Sequence, residues 1–213
     1  MTAIAPVITS TFTIVATDGE DYGVAVASRV LAVGAIVPAA DASWGVVATQ
    51  AGVNVGWKRA GMSLLASGNS AQQTVDRLVA EDPGADARQL IVLDRAGQAA
   101  AHSGKDCQRW AGHIVGEGFA VAGNLLAGQD VIESMASAYR SCAGPLAQRL
   151  LLSLESGEEA GGDRRGRQSA AVQIVRQAGG IDGRDDRVCD LRVDDHLDPV
   201  RELRRLAGVQ FSG

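Results

Sequence analysis

Uninterrupted apolar and β-branched runs dominate the first fifty residues. Residues 11–17 (TFTIVAT), 22–30 (YGVAVASRV) and 43–50 (SWGVVATQ) each read as a strand with apolar positions on both faces. That pattern belongs to a sheet covered on both sides, not to one that meets water. Asp18-Gly19-Glu20-Asp21 supplies turn chemistry between the first two runs. The period then changes. Residues 55–66 carry apolar positions at helical spacing. Ser70 and Gln73 form a capping-box pattern that opens a second helix, with Val75, Leu78 and Val79 on one face and Pro83-Gly84 at its end. Strands return at residues 88–94 (RQLIVLD) and in QAAAHS, and again in FAVAG within a glycine-rich stretch over residues 112–128. Residues 130–139 and 145–156 read as helices, 169–175 (SAAVQIV) and 188–193 (VCDLRV) as strands. Asp198-Pro199 caps and starts a last helix that runs to about Leu206.

The order is therefore strands, two helices, strands, two helices, strands, one helix. Hairpins dominate, so the sheets are expected to be mainly antiparallel. Strict β-α-β alternation is missing, which argues against a doubly wound parallel fold. Helices that arrive in pairs suit an α+β, four-layer αββα sandwich with two sheets covered by helices. No linker or internal repeat divides the chain, so residues 11–213 are expected to form one domain behind a ten-residue leader.

A four-residue loop at Asp18–Asp21 pairs Thr17 with Tyr22 and sets Thr11 directly across from Ser28, side chains on one face. Arg29 follows, so two hydroxyls and a cation gather at one end of an apolar hairpin. A threonine hydroxyl is a weak nucleophile that needs a base. An α-amino group, with a pKa of about 7.7–8.0, can be that base. Attacker and base coincide only if Thr11 begins the chain, which requires cutting the Ser10–Thr11 bond and removing MTAIAPVITS.

Composition narrows the classes. The 213 residues carry a net charge of −5 and 4% aromatics, which argues against nucleic-acid binding by charge or stacking. Cys107, Cys142 and Cys189 are far apart and odd in number, which suits free thiols in a reducing, cytoplasmic compartment. No run of roughly 20 apolar residues marks a membrane span, and the N-terminus lacks a basic region ahead of a signal-like run. His102, His113 and His196 lack metal-ligand spacing, and the acidic pair in VDDH (residues 193–196) suits a helix start. GEGFAVAG lacks dinucleotide-binding spacing. Neither a metal nor a cofactor is expected.

The segments TFTIVA, GVAVASRVLAVGAIVP, GVVATQA, WAGHIVGEGFAVAGNLLAG, GGDRRGRQSAA and DLRVDDHLDP resemble the bacterial family called domain of unknown function 1028, over residues 11 to about 206. The resemblance implies an N-terminal-nucleophile (Ntn) hydrolase-like fold. Family members commonly begin near TF-[ST]-IVA, which matches Thr11 to the nucleophile position; the ten residues before it depart from that pattern. The implied activity is hydrolysis of a C–N bond in a small amide or short peptide. Around Thr11, Ser28 is a candidate to position the nucleophile and Arg29 to bind a substrate carboxylate. Gln50 and Asn54 are candidate donors to substrate, with loop capping as the alternative. Asn124 is a candidate oxyanion-hole amide. Asp163 is a candidate to orient the amine. Arg164, with the neighbouring Gln168 and Ser169, is a candidate for substrate binding. The competing expectation is a non-catalytic binding protein or oligomeric scaffold on the same fold. A homo-oligomer is expected either way.

Overall fold

The computed structural model describes residues 8–211, so residues 1–7 of the expected leader lie outside the described residues. Eleven strands and six α-helices occur among the described residues. In chain order they are β1 (Ile8–Thr9), β2 (Thr11–Thr17), β3 (Tyr22–Ser28), α1 (Val33–Ile36), β4 (Pro38–Asp41), β5 (Gly45–Gly52), α2 (Gly56–Ala66) and α3 (Ala71–Glu81). Then come β6 (Arg88–Asp94), β7 (Ala99–Ser103), β8 (Gly112–Gly116), β9 (Phe119–Asn124), α4 (Asp130–Ser141), α5 (Leu146–Glu159), β10 (Ser169–Val175), β11 (Arg187–Val193) and α6 (Pro199–Phe211).

All pairings are antiparallel. Six strands form one sheet in the order β11-β10-β3-β2-β9-β8. The other sheet runs β5-β6-β7, with β1 and β4 sharing the free edge of β5. Three apolar clusters hold four layers together. Val47, Leu90 and Val92 pack outward against Trp57, Leu65, Val75 and Leu78 of α2 and α3. Val15, Val24, Val26, Val46, Ile91 and Leu93 fill the space between the sheets. Phe12, Ile14, Val121 and Ile174 pack outward against Met135, Leu150, Leu154 and Leu203 of α4, α5 and α6. Each fully buried leucine here is worth about 1.5–3 kcal/mol of transfer free energy. The expected αββα sandwich is the observed architecture.

Alternation decides which cluster a strand residue joins. On β2, Phe12, Ile14 and Ala16 face the helices, so Thr11, Thr13 and Val15 face the other sheet. The first hairpin has the register expected from its loop, Thr17 opposite Tyr22 and Thr11 opposite Ser28. The α3 capping box is present, Ser70 accepting from the Gln73 N–H while Gln73 accepts from Ser70.

Four short elements depart from the sequence expectation: β1, β4, β8 and the single-turn α1. None is long enough to show a period, and each exists through its partners. β4 pairs Pro38 to Asp41 with Ala48 to Gly45, and the turn between them needs Gly45 at φ +118°. A Cβ there would lie 2.1 Å from the Leu93 carbonyl oxygen. β3 also stops at Ser28, two residues before the expected end, where Arg29 and Val30 turn away.

Ala178, exposed in the turn after β10, adopts φ 54°. A left-handed backbone costs a residue with a Cβ about 1–2 kcal/mol, partly offset by the extra freedom glycine has when unfolded. Ala178→Gly is therefore expected to stabilise the fold by about 0.5–1 kcal/mol and raise Tm by roughly 1–3 °C, as scanning calorimetry would show.

Candidate active site

At one end of the inter-sheet layer the apolar filling stops, and two rows of polar side chains face each other. Across the six-stranded sheet the row is Ser169, Ser28, Thr11 and Asn124, each opposite the next in register. Across the other sheet it is Gln50, Gln89 and Ser103. Every one of them follows the alternation that turns its strand's inter-sheet positions inward. Ser28, Thr11, Asn124, Gln50, Gln89 and Ser169 are all buried, and Thr11 is 0% exposed.

Hydrogen bonds join the rows. Thr11 Oγ1 donates to Ser28 Oγ (3.4 Å), and Ser28 Oγ donates in a short bond to the main-chain carbonyl of Ser10. Gln50 Nε2 donates to the Thr11 carbonyl (3.4 Å) and to Gln89 Oε1 (3.0 Å). Thr13 Oγ1 donates to Gln50 Oε1 at 2.6 Å. Asn124 Nδ2 donates to Gln89 Oε1 at 3.1 Å. Ser10 closes the end of the layer, its hydroxyl donating to the Asn124 carbonyl at 3.0 Å. The residues before it continue as β1, paired with Ala51 and Gly52 of β5. Thr11 thus lies under an arm that crosses from one sheet to the other. Two residues beside the site take a left-handed backbone without being glycine: Ala51 (φ 65°), after Gln50, and Leu125 (φ 53°), after Asn124. Such positions cost of order 1–3 kcal/mol and concentrate at functional sites.

Thr11, Ser28, Gln50 and Asn124 are brought together as expected. Asp163 sits one step away, buried, joining the end of β3 to the loop after α5. Its carboxylate accepts from the Arg29 N–H (2.9 Å), the Arg165 N–H (2.9 Å) and the Arg165 guanidinium (3.0 and 3.2 Å). Those donors occupy both oxygens, so Asp163 braces the strand end. Arg29 is exposed; its Nη1 donates to Gln168 Oε1 at 2.6 Å. The two line a surface cavity with Arg167, Asp195, His196 and Leu197. Arg164 is exposed beside the site, its N–H donating to the Leu125 carbonyl at 3.0 Å. Ser169 tethers the turn after β3, its Oγ accepting from Val33 N–H at 3.0 Å. Asn54 stands apart from the network. Its Nδ2 donates to Asp82 (2.7 Å) and its Oδ1 accepts from Gly56 N–H (3.0 Å), which is the loop-capping alternative.

Sequence reading missed Thr13, Gln89 and Ser103, gave Ser10 no part beyond the bond to be cut, and considered His113 only as a metal ligand. Thr13 had a usable signal, since it shares the inward period of Thr11. Gln89 had a weaker one, a neutral amide opening an apolar strand. Gln89 Nε2 donates to Ser103 Oγ at 2.8 Å, so the Ser103 proton is free for His113 Nδ1, also at 2.8 Å. A Ser103 O–H pointed at Nδ1 favours the tautomer of His113 with its proton on Nε2. Although its outer edge is exposed, lost hydration and secondarily His102 push its pKa below the usual value. The sign follows: a group whose folded pKa is depressed contributes stability above its unfolded pKa, about 6.5, and loses it as pH falls through the folded value. Below pH about 6.5, wild type is expected to lose Tm that His113→Asn keeps, in melting curves from pH 5 to 8.

Among the described residues no His/Cys/Asp/Glu group could hold a metal ion, and no helix is long and apolar enough to cross a membrane. Comparison with curated proteins gives no match. Among solved structures the chain is similar to protein SPO2555 from Silicibacter pomeroyi, with 28% identity, 96% of this chain and 90% of that one covered, and a TM-score of 0.87. That protein carries the same family assignment as the one whose sequence model matches residues 11–203 here. The hairpin that opens on Thr11, the polar rows between the sheets and the braced loop at Asp163 all fall inside that match, and the chain belongs to the family of unknown function DUF1028.

Proposed function

We propose that this protein is a self-activating hydrolase of the N-terminal-nucleophile type that cleaves a C–N bond in a small amide or short peptide. The observation that carries the reading is the string from Thr11 Oγ1 to Ser28 Oγ to the Ser10 carbonyl oxygen. That carbonyl belongs to the one bond whose cleavage would free the Thr11 amine. Thr11 Oγ1 attacks the Ser10 carbonyl carbon. Its proton passes to Ser28 Oγ as the Ser28 proton passes to the carbonyl oxygen, so a neutral tetrahedral adduct forms. Collapse breaks the C–N bond, the nitrogen takes a proton, and an ester links Ser10 to Thr11. Water hydrolyses the ester and releases residues 1–10.

The same parts then serve substrate. Among the described residues the side chains in hydrogen-bond contact with Thr11 are those of Ser28 and Gln50, which do not titrate, so the new α-amine, with a pKa of about 7.7–8.0, is the base at hand. Ser28 Oγ, relieved of the Ser10 carbonyl, is free to donate to a substrate oxyanion. Departure of Ser10 and β1 opens the end of the inter-sheet layer. Arg29 follows Ser28, the last residue of β3, and β3 lies about 4.8 Å from β2. Among the described residues the Arg29 guanidinium is bound to an amide and not to a carboxylate, which suits a substrate with a carboxylate near the scissile bond. The three free cysteines fit a reducing, cytoplasmic setting. One observation favours the rival reading of a non-catalytic binding protein: Thr11 is wholly buried under a paired arm.

Intact-mass spectrometry of the purified full chain separates the two. Loss of residues 1–10, with Thr11 as the new N-terminus, is the expected result. A full-length mass that persists through prolonged incubation would exclude the free-amine mechanism.

A further inference from the structure

Gln89 fixes the orientation of every amide around Thr11. Its Nε2 lies 2.8 Å from the Gly123 carbonyl, 3.2 Å from the Gly112 carbonyl and 2.8 Å from Ser103 Oγ. Carbonyls only accept, so that end of Gln89 must be its N–H end. Gln89 Oε1 therefore faces Asn124 and Gln50, and each must present N–H to it. Gln50 spends its remaining oxygen on the Thr13 hydroxyl. Asn124 has no such outlet. Its Oδ1 is buried with no donor among the described residues. Turning the amide over gives no relief, because Oδ1 would then meet Gln89 Oε1. Buried acceptors without donors are rare enough to need a cause. This one sits on the cross-strand partner of Thr11, side chains on the same face and Cβ atoms roughly 4.5–5.5 Å apart.

The geometry points to Asn124 Oδ1 as the acceptor that holds the Thr11 α-amine once the Ser10–Thr11 bond is cut. The inference rests on the function proposed above and changes the part Asn124 plays in it. Its Nδ2 is engaged with Gln89, so it acts through its oxygen as a positioning residue and not as an oxyanion donor. A peptide nitrogen carries one hydrogen and an amine at least two, so cleavage creates the donor that Asn124 lacks. A bond from that N–H to Oδ1 turns the amine lone pair toward Thr11 Oγ1.

The titration of the amine tests this. The charged groups and the histidine at this end of the elements packed around it are Arg29 after β3, Asp163, Arg164 and Arg165 in the loop after α5, Glu158 on α5, Arg88 on β6 and His113 on β8; the variants leave all of them in place. Among the described residues no member of the three apolar clusters precedes Phe12, so a chain that starts at Thr11, with its initiator methionine removed, keeps every apolar residue described in those clusters. In that chain, with threonine ¹³C-labelled, the Thr11 amine pKa is read from the pH dependence of its Cα and Cβ NMR shifts, which leaves the amine unmodified. Asn124→Asp is expected to raise it by about 1–3 units, Asn124→Ala to lower it, and the acid limb of kcat/KM to move by the same amounts. Equal amine pKa values in wild type and both variants would overturn the assignment. A crystal structure of the wild-type chain from Thr11 needs no variant to fold: Thr11 N is expected within hydrogen-bond distance of Asn124 Oδ1, and an amine turned elsewhere would refute it. Retention of residues 1–10 by the full chain is a separate failure, which removes the self-cleavage and not the amine contact.

Discussion

Thr11→Ala in the full chain is expected to abolish release of residues 1–10, and Ser28→Ala to slow it by about 10²–10³-fold. The two losses have different origins. Alanine at residue 11 removes the hydroxyl that the proposed mechanism uses to attack the Ser10 carbonyl carbon, so no ester forms for water to hydrolyse. Alanine at residue 28 leaves the attacker in place. It takes away the donor on the Ser10 carbonyl and the relay that carries the Thr11 proton to it. Thr11→Ser keeps the hydroxyl and is expected to retain cleavage, so the pair of variants at residue 11 separates chemistry from packing. The readout is the fraction of full-length mass against time at neutral pH. Cleavage in Thr11→Ala at the wild-type rate would sink the nucleophile, and an unchanged rate in Ser28→Ala would sink the relay.

Gln89→Ala is expected to cost roughly 3–5 kcal/mol in urea unfolding of the full chain, close to the lower end of what a domain has in total. The side chain is 0% exposed and serves five neighbours. Its removal orphans Asn124 Nδ2 outright and leaves Gln50 Nε2 with only its long bond to Thr11, each lost partner costing about 1–3 kcal/mol. Gln89→Glu keeps the shape and changes the chemistry. One carboxylate oxygen would face the Gly112 and Gly123 carbonyls, so the folded state favours the protonated acid. A raised folded pKa means stability that is present below the unfolded value, about 4.3, and is lost as pH rises. The Tm deficit of Gln89→Glu against wild type is therefore expected to be smaller at pH 4 than at pH 8. A Gln89→Ala cost below about 1 kcal/mol would show that the amides rearrange freely, and their fixed orientation would fall with it.

Local chemistry made much of this protein readable in one dimension. Two-sided apolar strands, helix caps and a four-residue turn depend on near neighbours in the chain, so the αββα layering and the Thr11–Ser28 register followed from them. Thr11 and Ser28 are recognisable as candidates because the hairpin register sets two hydroxyls together at one end of an apolar pair, whereas Asn124 enters only with the family resemblance. The role of each depended on the other sheet. Gln50 and Gln89 are 39 residues apart, and nothing local says that Gln89 Oε1 meets Asn124 Nδ2. Only stacking the sheets sets the two polar rows face to face. The same holds for the short elements. β1, β4 and β8 have too few residues to display a period, and they form because an already folded edge offers unpaired backbone groups. Asn54 shows the reverse. It reads as a site residue by position, yet a partner 28 residues away, Asp82, draws it into a loop. Periodicity and turn chemistry thus determined which way each side chain points, whereas hydrogen-bond partners distant in the chain, fixed only when the layers close, decided what each polar group can do.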